Sequence, residues 1–433
     1  MKKEIINVGV FPSGSEASIE ISRALKTIKD INLIGLGSIP GYGEIAFENN
    51  ISTLPFFTAP NFISSLNNLV KAYKINFLIP GMDEVGYFLK INEKKIGCEV
   101  VYASAETAVL IRRKSNTYAA LKNHVSTPIV YNKNDLNEAI NFPIFCKPDI
   151  GYGSRGAIKI ESLTQLSQIL KEDDNENNKI YSEYVSGEEL TIDCFSNKNG
   201  ELLFAGPRRR ERIKMGISVS TRPIELTDEL NNFARLISKK LSMFGCWFFQ
   251  VKKSEAGEYK LLEVASRVSG SMATYRLLGV NFILLDIYQR LGHVVSIPKI
   301  QCIDFKLERA LDVKLIGEYS FDSVYMDLDD CLILKDNINT DLIAFLFGCR
   351  NKNIPIFLIT RHALNLKKTL KDFRISSLFD GIYHLTDGRP KSSVFSHKKP
   401  LFIDDSFAER QEVGKAIKCN VASPDMITME YLR

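Results

Sequence analysis

The amino-acid sequence predicts a multidomain protein of the α/β and α+β classes, because the pattern of apolar residues changes twice along its 433 residues. Residues 1–107 alternate short apolar runs with helix-like stretches, which is typical of a parallel sheet covered by helices. From about 108 to 310, hairpin-like segments containing glycine replace that alternation. We therefore predict an α/β domain over 1–107, a second domain over 108–310, a connector over 311–320, and a third domain with renewed strand and helix alternation over 321–433.

Composition and charge are those of an ordinary globular protein, with 45% hydrophobic and 25% charged residues. The 56 basic and 51 acidic residues give a net charge of only +5, so we expect no nucleic-acid partner. Eight cysteines without zinc-ligand spacing fit a reducing compartment. Glu4 and Asn7 interrupt any apolar signal-peptide core, and no apolar run approaches the roughly 20 residues that span a bilayer. We expect a cytoplasmic protein with no membrane partner.

Two turns of the first domain follow predicted strands, at Pro12–Glu16 and at Pro80–Glu84. In open α/β sheets, ligands bind beyond the carboxyl ends of the strands, so both turns are candidates for substrate contact. Helix caps and simple turns explain the same residues equally well.

A glycine-rich segment from Gly151 to Gly156 matches the pattern G-x-G-x-x-G. A dinucleotide-binding loop of this pattern must open a helix, but residues 157–160 alternate like a strand. A strand, a glycine-rich loop and a second strand make a hairpin lid whose backbone N–H groups close over phosphates. A protein-kinase lid would have the same form, but no H-R-D or D-F-G motif follows.

The residues around this loop carry a resemblance to a known superfamily. Lys147 precedes the loop on a predicted strand, residues 181–193 place acidic positions around a turn, and residues 261–270 follow a strand that carries Gln250. In this order the segments resemble the ATP-grasp superfamily, and in particular a single copy of the synthetase unit of carbamoyl-phosphate synthase. The resemblance covers about residues 1–310 and implies a Rossmann-like pre-ATP-grasp domain followed by an ATP-grasp domain.

The resemblance implies roles for individual residues. At the nucleotide, it places Lys114 and Lys147 at the phosphates, Glu183, Tyr184 and Val185 at the adenine, and Glu189 at the ribose. It places Gly151, Gly153, Ser154 and Gly156 in the lid, and Gln250 and Glu263 on Mg²⁺. Arg267 would lie at the transferred phosphoryl group or the carboxylate substrate, and Arg210 or Arg212 in the phosphate-acceptor site. One position departs from the usual E-x-N-P-R motif, because Ala265 stands where the family has a metal-binding asparagine. Efficient two-metal catalysis is therefore in doubt.

The third domain has acidic or hydroxyl side chains at the ends of its predicted strands. Residues 323–326 lead into Asp327 and Asp329, which an extended chain places on one side. A second apolar strand ends at Thr360, Lys391 opens a helix-like stretch, and a further strand ends in Asp404. Crowded carboxylates are unfavourable unless a cation or a function offsets their repulsion.

This order resembles the haloacid dehalogenase-like (HAD) phosphatases over residues 321–433. The resemblance implies a Rossmannoid fold, with Asp327 as the nucleophile, Asp329 as general acid and base, and Thr360 and Lys391 at the phosphoryl oxygens. Magnesium ligands would be Asp327, Asp329 and Asp404, with Asp405 as a further candidate. Cys331 replaces the usual threonine. The short spacing between motifs leaves no room for a sizeable cap domain, and His362 is expected on the surface or in contact with substrate.

The sequence thus predicts a bifunctional enzyme. One half would be an ATP- and Mg²⁺-dependent ligase that joins a carboxylate to an amine or ammonia, and the other a phosphatase of a phosphorylated metabolite. Mn²⁺ is an alternative metal, and a homo-oligomer is left open. Two other hypotheses remain: an ATP-binding regulatory module that controls an active phosphatase, and carbamoyl-phosphate-like synthesis.

Overall fold

The computed structural model describes residues 5–132, 135–136, 140–151, 156–172, 179–214, 217–297, 305–310 and 320–432. The chain divides into two compact units, an N-terminal unit (Met1–Asp312) and a C-terminal unit (Val313–Arg433). Most of the predicted connector, residues 311–319, lies outside the described residues. The predicted boundary between residues 107 and 108 within the N-terminal unit stays a prediction.

The N-terminal unit begins with a five-stranded parallel sheet in the order β3-β2-β1-β4-β5. Its strands are β1 (Ile6–Phe11), β2 (Ile31–Leu36), β3 (Asn50–Ile51), β4 (Phe77–Pro80) and β5 (Glu99–Val100). The accompanying helices are α1 (Glu16–Leu25), α2 (Tyr42–Ala46), α3 (Phe62–Ala72) and α4 (Asp83–Ile91). Strand order reverses between β1 and β4, so the turns after these two strands lie side by side at the carboxyl edge of the sheet.

A serine joins those two turns. Ser15 caps α1, because its Oγ accepts a hydrogen bond from the backbone N–H of Ser18 at 3.1 Å. The same hydroxyl lies 2.8 Å from the carbonyl oxygen of Gly81 in the turn after β4. The predicted turns are therefore helix starts that are tied to one another.

Two antiparallel sheets follow. Helices α5 (Ala105–Arg112) and α6 (Lys114–Leu121) lead into a four-stranded sheet of order β6-β9-β7-β8, and a six-stranded sheet has the order β14-β13-β10-β11-β12-β15. The strands are β6 (Val130–Tyr131), β7 (Ile144–Pro148), β8 (Ile158–Ile160), β9 (Lys179–Glu183), β10 (Glu189–Ser196), β11 (Leu202–Lys214), β12 (Ile217–Pro223), β13 (Gly245–Lys253), β14 (Tyr259–Ala265) and β15 (Leu307–Glu308). The remaining helices are α7 (Leu163–Glu172), α8 (Asp228–Lys240), α9 (Ala273–Leu277) and α10 (Phe282–Arg290).

The two faces of the six-stranded sheet differ in what covers them. Leu190 and Ile192 of β10 are fully buried in a core cluster with Trp247 of β13. Side chains alternate between faces along a strand, so Glu189 and Phe195 lie on the opposite face. That face is mixed, because Phe195 is buried in a second core cluster whereas Glu189 lines a cavity. Burial of apolar residues on both faces fixes the register, and the polar end of the second face remains for a site.

The C-terminal unit contains a five-stranded parallel sheet of order β20-β19-β16-β21-β22. Its elements are β16 (Ser323–Met326), the small hairpin β17 (Ile333–Leu334) and β18 (Asn337–Ile338), α11 (Thr340–Asn351), β19 (Ile356–Thr360), α12 (Leu366–Asp372), β20 (Gly381–His384), β21 (Pro400–Ile403), α13 (Phe407–Ile417) and β22 (Asn420–Ala422). The helix-like stretch predicted at Lys391 is a short 3₁₀ helix, Lys391–Val394. Because β16 lies between β19 and β21, the ends of these three strands meet at one edge of the sheet.

A helix that crosses a bilayer must be both long and apolar. None of the helices among the described residues is both long enough and apolar enough to do so.

Two phenylalanines of α11 test the core of the C-terminal unit. Phe345 is 0% exposed in the core cluster and Phe347 is 53% exposed. We expect Phe345→Ala to lower the free energy of unfolding by about 3–5 kcal/mol, because it leaves a cavity in a packed core. Phe347→Ala, the matched control, should change it by less than about 0.5 kcal/mol. Denaturant titrations followed by circular dichroism measure both, and equal effects would contradict the assigned burial.

Candidate active sites

A cavity in the N-terminal unit collects residues from both antiparallel sheets. Its lining includes Lys114, Lys147, Gly151, Glu183, Tyr184, Val185, Glu189, Gln250 and Glu263. Except for Gly156, every described residue that the sequence placed at the nucleotide lies on this list. Phe145, Pro148 and Leu262 add apolar walls. The cavity therefore combines apolar surface with charged groups of both signs, as a site for a charged and partly aromatic ligand requires.

Lys147 is the buried cation of this cavity. Its position in β7 turns the side chain away from solvent, and its Nζ donates a hydrogen bond to the Tyr118 hydroxyl at 2.9 Å. Tyr118 in turn donates to the carbonyl oxygen of Leu262 at 2.7 Å. Burial lowers the pKa of Lys147 to about 8, and the nearby Lys114 adds to the effect. A negatively charged ligand would reverse this shift.

The start of the glycine-rich loop is fixed to helix α6. Asp149 accepts hydrogen bonds from the backbone N–H of Ser115 at 2.8 Å and from its hydroxyl at 2.7 Å, and it pairs with Arg113 at 3.0 Å. Lys114 donates to the carbonyl oxygen of Gly151 at 2.9 Å. These contacts hold Lys114 beside the loop. Sequence reasoning missed Asp149, because its partner Ser115 is 34 positions away and no local pattern indicates the contact.

The lid itself is only partly described. Gly156 has a φ of +71°, a left-handed conformation that favours glycine, and it does not belong to the cavity lining. Gly153 and Ser154 lie outside the described residues. Their predicted place in the lid stays a prediction.

The residues predicted at the adenine and ribose lie on β9, β10 and the turn between them. Glu183 pairs with Lys260, and Glu189 pairs with Arg210. The Tyr184 ring lies 4.7 Å from the Nζ of Lys159, measured to its centroid. Both glutamates therefore face the cavity with a cation already beside them.

The two predicted magnesium ligands of this unit face one another. Gln250 of β13 lies directly opposite Glu263 of β14 in the antiparallel ladder, and both line the cavity. Burial raises the pKa of Glu263, while Lys114 opposes the rise. Oxygen donors in this arrangement fit a hard cation such as Mg²⁺. Ala265, two residues further along β14, offers a methyl group where the usual motif has an amide oxygen.

Arg267 is held by a residue of the first sheet. Its guanidinium makes two hydrogen bonds to the Asp83 carboxylate, at 2.9 and 2.7 Å. Asp83 opens α4 in the turn predicted for substrate contact. With Glu84 it lines a smaller cavity that shares Lys114 and Glu263 with the first one. Arg267 is therefore close to the predicted metal ligands, but its guanidinium is paired with the Asp83 carboxylate.

Neither arginine predicted at the phosphate-acceptor site lines the cavity. Arg210 pairs with Glu189, and the exposed Arg212 pairs with Glu308 at 2.7 Å, because a bulge in β11 shifts the alternation between them. Arg208 is the buried arginine of this run. It binds Asp193 at 2.7 Å and the hydroxyl of Ser269 at 2.9 Å.

The C-terminal unit has a second polar cluster, where β16 and β21 end. Lys391 Nζ lies 2.6 Å from Asp404 and 3.2 Å from Asp327, and all three residues are buried. Burial raises the pKa of Asp327 to about 6, with Asp404 adding to the rise and Lys391 opposing it. Burial alone would lower the pKa of Lys391, but Asp327 and Asp404 together raise it.

Three carboxylates of this cluster can share one ion. Among the described residues, oxygens of Asp327, Asp404 and Asp405 lie within 4.8 Å of one another. Three carboxylates this close could bind one metal ion. Asp329 is not part of the group. Its side chain is 49% exposed and contacts His362, so its predicted role as a metal ligand has no geometric support here.

Thr360 and His362 complete the edge of this sheet. Thr360 ends β19, is fully buried, and its hydroxyl accepts a hydrogen bond from the backbone N–H of His362 at 3.1 Å. His362 is only 8% exposed, so the expectation of a surface histidine was wrong. The loop turns inward after β19, which one sequence could not reveal.

Comparisons with known proteins agree with the architecture of the N-terminal unit. Residues 176–308 match a family model described as "ATP-grasp in the biosynthetic pathway with Ter operon". Formate-dependent phosphoribosylglycinamide formyltransferase of Prochlorococcus marinus is 24% identical over 301 residues, which are 66% of this chain and 75% of that protein. The arginine-specific large chain of carbamoyl phosphate synthase from Bacillus subtilis is 28% identical over 276 residues, which are 57% of this chain and 26% of that protein.

A solved structure extends the likeness to the fold. The biotin carboxylase domain of Hydrogenobacter thermophilus 2-oxoglutarate carboxylase, in complex with MgADP, ADP and bicarbonate, superposes with a TM-score of 0.58. It is 16% identical and covers 69% of this chain and 72% of its own. The N-terminal unit therefore has the mixed α/β fold of ATP-grasp proteins, and its sequence is similar to those of the large chain of carbamoyl phosphate synthase and of formate-dependent phosphoribosylglycinamide formyltransferase.

Proposed function

We propose that the N-terminal unit is a ligase that uses ATP to activate a carboxylate as an acyl phosphate, which an amine or ammonia then attacks. The observation that carries this proposal is the convergence of Lys114, Lys147, Glu189, Gln250 and Glu263 on one cavity. Two relatives support the same class, because one is named as a carbamoyl phosphate synthase and the other as a formate-dependent formyltransferase.

The residues of the cavity suit the separate parts of a nucleotide. Lys147 and Lys114 would hold the phosphate chain, Glu183, Tyr184 and Val185 would receive the base, and Glu189 the ribose. Bound at Gln250 and Glu263, Mg²⁺ would neutralise charge on the phosphate oxygens. Phosphoryl transfer needs mainly alignment and charge neutralisation, and fixed side chains supply both.

For the C-terminal unit we propose a phosphatase of the HAD type. The observation that carries this proposal is the grouping of Asp327 with Lys391 and two further carboxylates, with Thr360 at the neighbouring strand end. In the first step an Asp327 oxygen attacks phosphorus, the ester bond breaks, and Asp329 gives a proton to the departing alcohol oxygen. A water oxygen then attacks phosphorus while Asp329 takes a proton from that water, the bond from phosphorus to the Asp327 oxygen breaks, and inorganic phosphate and the free Asp327 carboxylate result.

The charges around Asp327 fit this sequence of events. Lys391 holds the nucleophile in position and faces the negative oxygens of the incoming phosphate. The Asp327, Asp404 and Asp405 group fits Mg²⁺, which would offset the repulsion between these carboxylates and the phosphate. Thr360 would donate its hydroxyl to a phosphoryl oxygen.

A second candidate for the N-terminal unit is a nucleotide-binding regulatory module. Ala265 favours it, because the side chain facing the cavity beside Glu263 lacks a metal-binding oxygen. Under this hypothesis ATP binds without being turned over, and only the phosphatase is catalytic.

The pH dependence of ATP binding tests the role of Lys147. With a pKa of about 8 in the free protein, its ammonium is present below that pH and is lost above it. We expect constant affinity below pH 8 and a loss of up to about tenfold per pH unit above it, measured by calorimetry. Lys147→Met should weaken binding about tenfold to hundredfold and remove the pH dependence. Lys147→Arg keeps its charge and is the control; the same pH dependence in that variant would refute the assignment.

A crossed pair of variants separates the two activities. Asp327→Asn keeps the size of the side chain but removes the nucleophile, so phosphate-ester hydrolysis should fall at least about a thousandfold while ATP affinity is unchanged. Lys147→Met should leave hydrolysis unchanged. Loss of both functions in either variant, with an unaltered unfolding transition, would argue against two independent sites.

ADP release distinguishes the ligase from the regulatory module. Full-length protein is screened with MgATP against a panel of sugar acids and amino acids, each paired with amines or ammonia. We expect at least one pair to stimulate ADP release and Lys147→Met to abolish it. Tight ATP binding without ADP release from any pair would favour the regulatory module.

A further inference from the structure

His362 lies beside the active-site cluster of the C-terminal unit, and the mechanism above leaves it without a role. Its Nδ1 is 2.9 Å from Oδ1 and 3.0 Å from Oδ2 of Asp329, whereas its Nε2 is 2.8 Å from the Thr369 hydroxyl. The imidazole thus bridges helix α12 and the loop after β16.

Four separate contacts fix this histidine. Its backbone N–H donates to the Thr360 hydroxyl at 3.1 Å, and its carbonyl oxygen lies 2.8 Å from Nε2 of His384. Together with the contacts of both ring nitrogens, these bonds leave the ring no freedom to turn. A surface histidine kept only for solubility would not be held on every side.

The hydrogen-bond partners define which nitrogen of the neutral ring carries the proton. A neutral imidazole has one donor and one acceptor nitrogen. The Thr369 hydroxyl can donate to Nε2, which leaves Nδ1–H to donate to Asp329. Because both oxygens of Asp329 lie within 3.0 Å of Nδ1, this one donor fixes the plane of the carboxyl group.

Asp329 needs such a partner. Its side chain is 49% exposed, whereas Asp327 is buried. An aspartate this exposed has several accessible rotamers, and a proton donor that samples them contributes little to the transition state. A rigid hydrogen-bond donor selects one of the rotamers.

We propose that His362 is a positioning residue that holds Asp329 in the orientation from which it protonates the leaving group. This inference rests on the proposed phosphatase function. In the step concerned, the Asp327–phosphorus bond forms, the bond from phosphorus to the ester oxygen breaks, and the proton of Asp329 moves to that oxygen. His362 touches neither phosphorus nor the leaving oxygen and acts through Asp329 alone.

The leaving group supplies a test that a merely structural residue would fail. p-Nitrophenolate leaves without a proton, whereas the alkoxide from p-nitrobenzyl phosphate requires one, although the two esters are nearly the same size. The parameter to compare is kcat/KM, which reports the step in which Asp327 is phosphorylated. Loss of general-acid positioning lowers this value for the benzyl ester and spares it for the phenyl ester.

The experiment uses full-length protein with Mg²⁺. We expect His362→Leu to lower kcat/KM about a hundredfold for p-nitrobenzyl phosphate and less than about threefold for p-nitrophenyl phosphate. His362→Asn, whose amide can donate near the position of Nδ1, should restore most of the benzyl activity. Thr369→Val, which removes the partner of Nε2, should give an intermediate loss. His397→Leu removes an imidazole that contacts Tyr325 instead, and it should affect neither ester selectively.

Each result has a defined meaning. Equal losses for both esters in His362→Leu, or failure of His362→Asn to recover, would overturn the inference, because a structural defect does not depend on the leaving group. Unchanged rates for both esters would overturn it as well. If the wild-type protein hydrolyses neither ester, both the proposed function and this inference are overturned. If the wild-type protein hydrolyses the esters but the variants lose kcat/KM equally for both, only the positioning role is refuted.

Discussion

Each of the two candidate sites contains a buried lysine ammonium. The two lysines differ in how far neighbouring carboxylates compensate their charge, and this difference indicates which ion each site would bind. Lys391 lies between Asp327 and Asp404, so its charge is compensated within the chain and its pKa is raised. Lys147 donates its hydrogen bond to the Tyr118 hydroxyl, and burial lowers its pKa although Glu263, Glu189 and Asp149 oppose the change. A buried charge that is only partly compensated is unfavourable. The first site therefore calls for a further cation beside its excess carboxylates, and the second for an anion.

The strand-end residues were predictable from the sequence because parallel strands have a fixed geometry. Asp327, Thr360 and Asp404 each follow a short apolar run, and a parallel sheet brings the carboxyl ends of such runs to one edge. The strand after the glycine-rich loop was predictable for a similar reason, since residues 157–160 alternate with a period of two, and β8 occupies Ile158–Ile160.

Partners distant in the sequence were not predictable, because no local pattern encodes them. Asp83 and Arg267 are separated by 184 positions, and nothing near either one indicates the pair. The different partners of Arg210 and Arg212 were not predictable either, because a bulge in β11 lies between these two residues and breaks the strand alternation. His362 shows the same limit, since the inward turn after β19 depends on a hydrogen bond to Thr360 and on packing against α12.

An ion pair links the loop after β19 to helix α13 in the C-terminal unit. Arg361, in the loop after β19, pairs with Glu409 of α13 at 2.9 Å and donates to the carbonyl oxygen of Arg389. Strand β16 lies between β19 and β21, so this pair joins elements on either side of the strand that leads to Asp327. Asp327 is buried and Asp329 is half exposed. Under the proposed mechanism we therefore expect the leaving group of a bound ester to lie toward Asp329, where a fixed proton donor has most effect.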